Sequence, residues 1–458
     1  MSHISIFQPE GSTSSESISL PHSFVTLKAA DANSWPLLPE LGVFLRDEGH
    51  KTLTELRGNA AAEVADFFDT LIRDKLGDYP EFRRRTMRVL RDLCKSWGVL
   101  PASYTLQGEV KVSDGRPCAF AGFSEVWHGT LGCEKVAIKV IKISRTTTDP
   151  KRKMKKQLAK EAIIWKHLRH RNILPLYGVS TSINLAGIEP LHPCLVSPWM
   201  ENGNIRVFVR ENPTFDRFKL LVDACEGLIY LHSEGFSHGD LKGDNVLIDS
   251  ERRACLADFG LAGIVGVSNS SDPGGTPAYM APELFYRRAN ADRSRTTQLL
   301  KEPIDVFSLG TLIHEVLSGK QPSRGLRLGP PSWNPIPNHP VWNMVERCRA
   351  TEPTERPKLL EVLECLTCPP TDPPERWPSP STTESSLSPL NSSPSFQPSS
   401  RAAFMALSPF FSVPSVIPRL PISAHALLRY VTVPSLARQD DPDGPVFRWR
   451  VMGGGTRK

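Results

Sequence analysis

The side chains best suited to chemistry lie in a short polar loop directly before an apolar run. Residues 237–249 read SHGDLKGDNVLID, so Asp240 and Asn245 come just before a strand-like stretch. A second apolar run, 254–257, ends at Asp258, and the polar residues between the two runs predict a hairpin. Its antiparallel return would bring Asp258 back beside Asn245. Carboxylate and amide oxygens in a cleft suit magnesium, which binds one or two protein groups together with phosphate oxygens.

A pair of opposite charges is predicted upstream of this loop. Lys139 lies in an alternating strand pattern, 135–141, on the side that faces inward. Glu161 falls among the apolar residues of one helix face within 153–168, and an ionised Glu turned toward a core is costly unless it is paired. We therefore expect Lys139 and Glu161 to pair, which would fix the ammonium to meet a phosphate. A purely structural ion pair explains these two residues equally well.

A turn of small residues with an apolar exit, 119–127, precedes this strand. Its backbone amides could approach an anion closely. On its own, such a turn is weak evidence for a phosphate-binding loop.

The totals fit a large intracellular protein. The 458 residues are 40% hydrophobic, enough for a large core, and the net charge of +6 does not by itself imply a nucleic-acid partner. Of nine cysteines, only Cys365 and Cys368 have a metal-like spacing, and without a second pair no zinc site is expected. Reduced thiols in an intracellular compartment fit best. The amino terminus lacks a signal-peptide pattern, and no apolar run is long enough to predict a membrane span.

Four segments are predicted along the chain. Residues 1–50 are rich in Ser, Pro and Gly and are predicted to be flexible. Residues 51–103 hold two amphipathic helical patterns, which predict a helical hairpin. Strand-like and helix-like patterns alternate densely over 104–368. Between Pro369 and Ser400, 19 of 32 residues are Ser or Pro, so the tail, 369–458, is expected to be mostly disordered.

Two basic surfaces are expected to be solvated. One is the polar side of the second helical pattern in the hairpin, and the other opens the helix that carries Glu161. The first could instead touch a membrane surface or nucleic acid, and the second could recruit an acidic partner. The residues are Arg83, Arg84, Arg85, Arg88 and Arg91 in the first surface, and Lys151, Arg152, Lys153, Lys155, Lys156 and Lys160 in the second.

Together these pieces resemble the protein kinase fold. The resemblance implies an α+β fold of two lobes: a small, mainly antiparallel β lobe with one key helix, and a larger, mainly helical lobe. The helical hairpin precedes these lobes and the disordered tail follows them. The landmarks that carry the resemblance are Val136-Ala137-Ile138-Lys139, Glu161, His238 to Asn245, Asp258-Phe259-Gly260, Ala281-Pro282-Glu283, Asp305 to Gly310, and Arg356, the expected partner of Glu283.

Two details resemble the serine/threonine type. Tyrosine kinases usually differ both at Lys242 and at 275–280, GTPAYM. The residues around 195–203 and the hairpin are similar to the tyrosine-kinase-like group expanded in mushroom-forming fungi, which mostly phosphorylates Ser and Thr. The resemblance implies ATP-dependent transfer of the γ-phosphate to Ser/Thr hydroxyls of proteins, with tyrosine a minor alternative. It further implies intracellular signalling, and a cytoplasmic location is expected, with the nucleus as an alternative. The implied partners are protein substrates and regulatory proteins that bind the hairpin or tail, without nucleic acid.

The resemblance also implies catalytic roles. Asp240 would orient the substrate hydroxyl and receive its proton, and Lys242 would balance charge on the moving phosphoryl group. Asn245 and Asp258 would hold Mg²⁺ against the phosphates.

A nucleotide site is implied in the same way. Lys139, tied to Glu161, would hold the inner phosphates of ATP. The carbonyl of Pro198 and the amide of Met200 would bond the adenine edge, with Ser197 at the back of the pocket. The full set of expected nucleotide contacts is Ala119, Ala121, Gly122, Phe123, Ser124, Val126, Ala137, Lys139, Ser197, Pro198, Met200 and Leu247.

The stretch that resembles the catalytic loop, His238 to Asn245, departs from the family at Gly239. This glycine replaces the arginine that, in many kinases, binds a phosphate on the activation segment. Phosphorylation at Ser268, Ser270 or Ser271 is therefore expected to be dispensable for activity. Neutral drift at a position made irrelevant by other loop contacts is an equally good explanation.

The phosphate loop also departs from the family. The three glycines of the pattern fall on Ala119, Ala121 and Ser124, which predicts ATP binding that is weakened but not lost. Two alternatives to an active kinase therefore remain open. One is a pseudokinase scaffold without phosphotransfer, and the other is an interaction protein that acts through its hairpin and tail.

Overall fold

The structure, a computed structural model, describes most of the chain between residues 52 and 377. The described residues are 52–74, 76–77, 79–113, 115–121, 124–142, 149–181, 183, 192–259, 276–286, 301–322, 336–368, 370 and 374–377. The segment 1–50 that is predicted to be flexible, and the tail beyond residue 377, lie outside them.

The small lobe is built around one antiparallel sheet. Its strands are β1 (Val110–Val112), β2 (Ala119–Ala121), β3 (Ser124–Leu131), β4 (Glu134–Ile141), β5 (Gly178–Ser180) and β6 (Cys194–Pro198). Across the described residues the strand order is β1-β3-β4-β6-β5, with β2 paired to β3. A two-residue turn joins β3 to β4, and Gly132 within it has φ +59°, a left-handed conformation that glycine adopts without strain.

Side chains along β4 alternate between the two faces of the sheet, and this alternation decides which of them face the second lobe. Val136, Ile138 and Val140 are fully buried in an apolar cluster on one face of the sheet. Ala137 and Lys139 project from the opposite face and are only half-buried. Because strand side chains alternate between faces, the sequence pattern alone places Lys139 on the side away from that cluster.

The helices lie in the hairpin, beside the sheet and in the large lobe. In chain order they are α1 (Gly58–Asp74), α2 (Pro80–Trp97), α3 (Pro150–His167), α4 (Ile205–Glu211), α5 (Arg217–Ser233), α6 (Pro282–Tyr286), α7 (Lys301–Ser318), α8 (Val341–Cys348) and α9 (Leu359–Thr367). The Asp149 side chain caps α3 by accepting the Arg152 amide, with Pro150 in the first turn. Helix α2 ends at Gly98, whose φ is +67°, as the sequence predicts.

The large lobe packs α5, α7, α8 and α9 around one apolar core. Two further strands, β7 (Val246–Ile248) and β8 (Ala254–Leu256), form an antiparallel hairpin at its edge, with Leu247 opposite Cys255. This is the hairpin that the sequence predicts on either side of the polar turn. The expected fold class, an antiparallel β lobe followed by a helical lobe, is confirmed.

The packed core extends past residue 368. Trp377 is buried, its backbone amide donates to the Pro213 carbonyl at 2.9 Å, and its ring lies 5.4 Å from the Arg217 guanidinium carbon. Apolar burial together with a cation over the ring explains why this short segment packs, although the composition around it favours disorder.

The arginines of α2 correct one expectation. They were expected to form a solvated face, but Arg91 is buried, and Arg83 and Arg84 both reach the large lobe. Arg88 does lie exposed. The sequence could not show this, because the helix periodicity says which residues share a side and not what covers that side.

Among the described helices, none is both long and apolar enough to cross a membrane.

Candidate active site

The backbone of the catalytic loop is held by a buried carboxylate. Asp305, on α7, accepts the His238 amide at 2.8 Å, the Gly239 amide at 2.9 Å and His232 Nε2 at 2.7 Å. Burial would raise the pKa of this carboxyl, but the bonds from His232 and the nearby imidazoles and amide keep the pKa lowered. An ionised acceptor therefore fixes the start of the loop. In the sequence, Asp305 stands out only as part of a helix motif, and nothing near it in the chain indicates this role.

Gly239 occupies a left-handed backbone position. Its φ is +79°, where a side chain would add about 1–2 kcal/mol of strain. The arginine of the family pattern is missing here, and with it a positive charge. The backbone supplies a further physical reason for glycine, since this residue meets the required φ without cost.

Four polar side chains meet beyond this glycine. Asp240 Oδ1 accepts the Thr276 amide at 2.9 Å, and Asp240 Oδ2 lies 3.1 Å from Lys242 Nζ. Lys242 in turn donates to the Thr276 hydroxyl at 2.8 Å. Asn245 Nδ2 donates to the backbone carbonyl of Asp240 at 2.8 Å. The loop residue expected to act as base is thus held on both oxygens, beside a cation and a hydroxyl.

A second cluster joins the two lobes. Lys139 Nζ donates to Glu161 Oε1 and to Asp258 Oδ1, both at 2.7 Å. Burial would lower the pKa of Lys139, but the two carboxylates outweigh burial and the pKa is raised, so the ammonium stays charged. The pair expected from the sequence is present, and Asp258 is an additional partner that the sequence argument did not foresee.

The residues expected to hold magnesium fit that ion chemically. Burial would raise the pKa of Asp258, but the charge and the hydrogen bond of Lys139 oppose this, and the pKa is lowered overall. An ionised carboxylate is therefore available. The side chain of Asp258 is 29% exposed, enough to reach a ligand. Asn245 donates its amide nitrogen to Asp240, which leaves the amide oxygen for another partner. One carboxylate and one amide oxygen match the small number of protein ligands that Mg²⁺ uses beside phosphate.

An aromatic column connects α3 to the catalytic loop. The Phe259 ring lies 6.0 Å from Trp165 on α3 and 5.6 Å from His238, measured between ring centroids. His238 Nε2 lies 3.0 Å from the Ala257 carbonyl, and its Nδ1 accepts the Asp240 amide. All three aromatic residues are buried. Movement of α3 would therefore disturb the loop through direct contacts.

Several of the residues expected around the nucleotide lie on one face of the small sheet. Strand pairing puts Val126 opposite Lys139 and Ala137 opposite Ser197, so these four side chains project from the same face. Ser197 and Met200 are buried, Pro198 is half-buried, and Leu247 on β7 is half-buried in the other lobe.

The phosphate loop is only partly described. Ala119 and Ala121 lie on β2, and Ser124 begins β3, where it pairs with Ala121. Gly122 and Phe123 lie outside the described residues, as do Gly260 and the activation-segment serines Ser268, Ser270 and Ser271. Weakened ATP binding therefore stays a prediction.

A buried network that sequence reasoning missed connects the catalytic loop to the segment after Thr276. Arg206, on α4, donates to Asp244 Oδ2 at 3.0 Å and to the Tyr279 hydroxyl at 2.9 Å, and its Nε lies 2.6 Å from Glu315. Tyr279 also donates to Glu315. No short motif marks Arg206, because its partners come from three distant parts of the chain.

The arginine expected to pair with Glu283 does so. Arg356 Nη1 and Nη2 donate to the two carboxylate oxygens at 2.7 and 2.8 Å, a bidentate geometry. This pair holds the start of α6, directly after the segment that carries Thr276.

Comparison with known proteins agrees with this geometry. Residues 122–364, more than half of the chain, match the protein kinase domain family. Serine/threonine-protein kinase STY46 of Arabidopsis thaliana is 29% identical over 276 residues, 55% of this chain and 43% of that protein. Receptor-interacting serine/threonine-protein kinase 3 of Rattus norvegicus is 37% identical over 179 residues, 36% of this chain and 35% of that protein.

A further relative, serine/threonine/tyrosine-protein kinase HT1 of Arabidopsis thaliana, is 23% identical over 269 residues, 55% of this chain and 65% of that protein. Each of these three matches covers less than two thirds of the relative's own length. The expected resemblance to serine/threonine kinases is confirmed. The match to the protein kinase domain covers more than half of this chain, and the chain therefore belongs to the protein kinase family.

Proposed function

We propose that this chain transfers the γ-phosphate of ATP to serine or threonine hydroxyls of protein substrates. The observation that carries the proposal is the joint arrangement of two clusters. In one, Asp240 is fixed beside Lys242, and in the other Lys139 is bonded to both Glu161 and Asp258. Phosphoryl transfer depends mainly on alignment and on neutralised charge, and these clusters supply both.

In this mechanism the Asp240 carboxylate faces the substrate hydroxyl and takes its proton as the hydroxyl oxygen bonds to the γ-phosphorus. The bond from phosphorus to the bridging oxygen breaks, and ADP carries that electron pair away. Lys242, 3.1 Å from Asp240 Oδ2, offsets charge on the moving group. Asn245 and Asp258 would hold Mg²⁺, which supplies charge neutralisation at the phosphates when bound.

The choice of serine or threonine is supported by the contact between Lys242 and Thr276. A 2.8 Å hydrogen bond joins these two side chains, a cation and a small hydroxyl, and both lie beside Asp240, which would take the acceptor's proton. The names of the relatives STY46 and receptor-interacting kinase 3 also describe serine/threonine kinases.

A scaffold without phosphotransfer is the second candidate. It is favoured by one feature, the replacement of loop glycines by Ala119, Ala121 and Ser124. The retained charges at Lys139 and Asp240 favour the enzyme instead, because a scaffold has no need of them.

The test measures transfer of labelled phosphate from ATP to a generic protein substrate. Asp240→Asn and Lys139→Met should each abolish transfer, because one removes the proton acceptor and the other the phosphate-binding ammonium. Lys111→Met is the matched control, since Lys111 lies on β1 with a side chain that is 70% exposed, and it should leave transfer intact. Nucleotide binding without transfer by the unmodified protein would favour the scaffold and contradict the enzyme.

A further inference from the structure

The carboxyl-terminal part of helix α3, which carries Glu161, is buried on every side. Five consecutive residues, 161–165, are all buried, although consecutive helical residues point in different directions around the axis. A helix covered on all faces needs a layer on each side. The small sheet provides one layer, and the amino-terminal hairpin provides another.

The contact between the hairpin and α3 is close and largely apolar. Ala159 and Ala162 are fully buried, and small residues such as these let two helices approach each other closely. At the end of α2, a Cβ on Gly98 would lie only 2.8 Å from Lys155 Cβ. The apolar residues of the hairpin and of α3 belong to the same core as those of the large lobe.

A polar junction ties the carboxyl end of α3 to both hairpin helices. His167, the last residue of α3, has Nε2 3.2 Å from Asp69 Oδ1 on α1. Asp69 Oδ2 also accepts the Ser103 hydroxyl at 2.6 Å. From α2, Arg83 donates to the His167 carbonyl at 3.0 Å, where a cation complements the negative end of the helix dipole.

The same helix α2 also contacts the large lobe. Arg83 forms an ion pair with Glu234, directly after α5. Arg84 donates to the Ser233 carbonyl at 3.0 Å. A Cβ on Gly235 would lie 2.9 Å from Arg84 Cδ, so the two surfaces fit closely. Arg83 therefore connects the end of α3 to the lobe that carries the catalytic loop.

We infer that the amino-terminal hairpin is a positioning element for the Lys139–Glu161 pair, and that Arg83 is its main positioning residue. By fixing α3 against both lobes, it keeps the Glu161 carboxylate on Lys139 without help from another protein or from a phosphate. Kinases control activity through the placement of this helix, and here the chain supplies the placement itself. The catalytic consequence rests on the proposed phosphotransfer, whereas the effect on α3 does not.

The first experiment follows amide hydrogen exchange in α3. Arg83→Ala removes both the bond to the His167 carbonyl and the pair with Glu234, so exchange across residues 158–167 should rise by about tenfold, within the usual range of coupling between sites. Arg88→Ala removes an exposed arginine from the same helix and should leave exchange unchanged. Equal exchange in Arg83→Ala and in the unmodified protein would overturn the inference, whether or not the chain transfers phosphate.

The second experiment separates positioning from general destabilisation. Arg83→Ala should lower kcat by about tenfold while the KM for ATP changes little, because alignment is lost and the binding surface is not. In a Glu161→Gln background the same substitution should have no further effect, since the group that it positions is already neutral. An equal loss in both backgrounds would show a merely structural role and contradict the inference.

A conservative variant, Arg83→Lys, keeps the inference testable if Arg83→Ala does not fold. Arg83→Lys keeps the charge but has no fork with which to span His167 and Glu234, so its exchange and kcat should lie between those of Arg83→Ala and the unmodified protein. Values for Arg83→Lys equal to those of the unmodified protein would count against the bridging role.

Discussion

One buried carboxylate, that of Asp305, accepts hydrogen bonds from three donors on two elements: the amides of His238 and Gly239 and the ring of His232. A carboxylate can do this because its two oxygens offer about four acceptor positions. The loop backbone is thereby fixed before any ligand binds. At this scale the site is organised by a residue that contacts the loop backbone from behind.

Gly239 combines a special backbone geometry with the absence of a side-chain charge. Its φ of +79° favours glycine, and glycine brings no cation for an activation-segment phosphate. The loop keeps its shape through Asp305 instead. We therefore expect that order at this point does not depend on a phosphate.

We accordingly expect protein treated with phosphatase to keep its phosphotransfer activity. The physical reason is that the principal charge-assisted bond to such a phosphate is missing at Gly239, while Asp305 already fixes the loop. The measurement compares initial rates before and after treatment, with mass spectrometry to verify that phosphate is gone. A rate that is lost on treatment and restored by phosphorylation of the activation segment would contradict this expectation.

Helix α3 is the element on which the geometry of the site depends most. It carries Glu161 toward Lys139, Trp165 toward the Phe259 ring, and His167 toward the hairpin. Side chains within two turns of this helix therefore face the nucleotide site, the catalytic loop and α1. A shift of this one helix would change the contacts at all three places.

The contact between α3 and the hairpin should weaken in acid. Burial lowers the pKa of His167 below its ordinary value of 6.5, although Asp69 on α1 opposes this and Arg83 on α2 adds to it. The folded state therefore favours neutral His167, and the unfolded chain takes up the proton first as pH falls. Stability from this site is complete above about pH 6.5 and is lost progressively below it.

Asp69 adds to the same trend at lower pH. Burial would raise its pKa, but His167 and Ser103 lower it overall, so its contribution is lost only as pH falls below the ordinary value of 3.8.

Urea midpoints at pH 5 and pH 7.5 should differ less for His167→Gln, which keeps a nitrogen donor but does not titrate, than for the unmodified protein. An unchanged difference would exclude His167 as the source.

Over the whole molecule, sequence reasoning succeeds where a pattern is local. The strand carrying Lys139, the hairpin ending at Asp258 and the stop at Gly98 all depend on neighbours within a few residues. It fails where contacts are distant, as with Arg206, whose partners are Asp244, Tyr279 and Glu315. Periodicity could group the arginines of α2 on one side, but it could not reveal that Arg83 contacts both lobes.

The core is continuous across predicted segment boundaries. One apolar cluster includes Leu53 of the hairpin, Leu158 of α3, Leu312 of α7 and Trp377 beyond the last helix. Such a core predicts that the hairpin, α3 and the large lobe unfold together. The segment ending at Trp377 is the part of this core that composition alone would assign to the tail.

Trp377→Ala should therefore destabilise the whole cluster and not only its own segment. Removing a buried Trp typically costs about 3–5 kcal/mol, and here it also exposes the buried Arg217, over which the ring lies. Urea unfolding followed by far-ultraviolet circular dichroism should show one transition at a lower midpoint, and the amides of α2 should lose protection in parallel. Leu360→Ala is the control, because Leu360 is 63% exposed and its removal should change the midpoint little. A separate early transition in the variant, with the amides of α2 still protected, would show that the carboxyl-terminal segment unfolds on its own and that the core is not one cooperative unit.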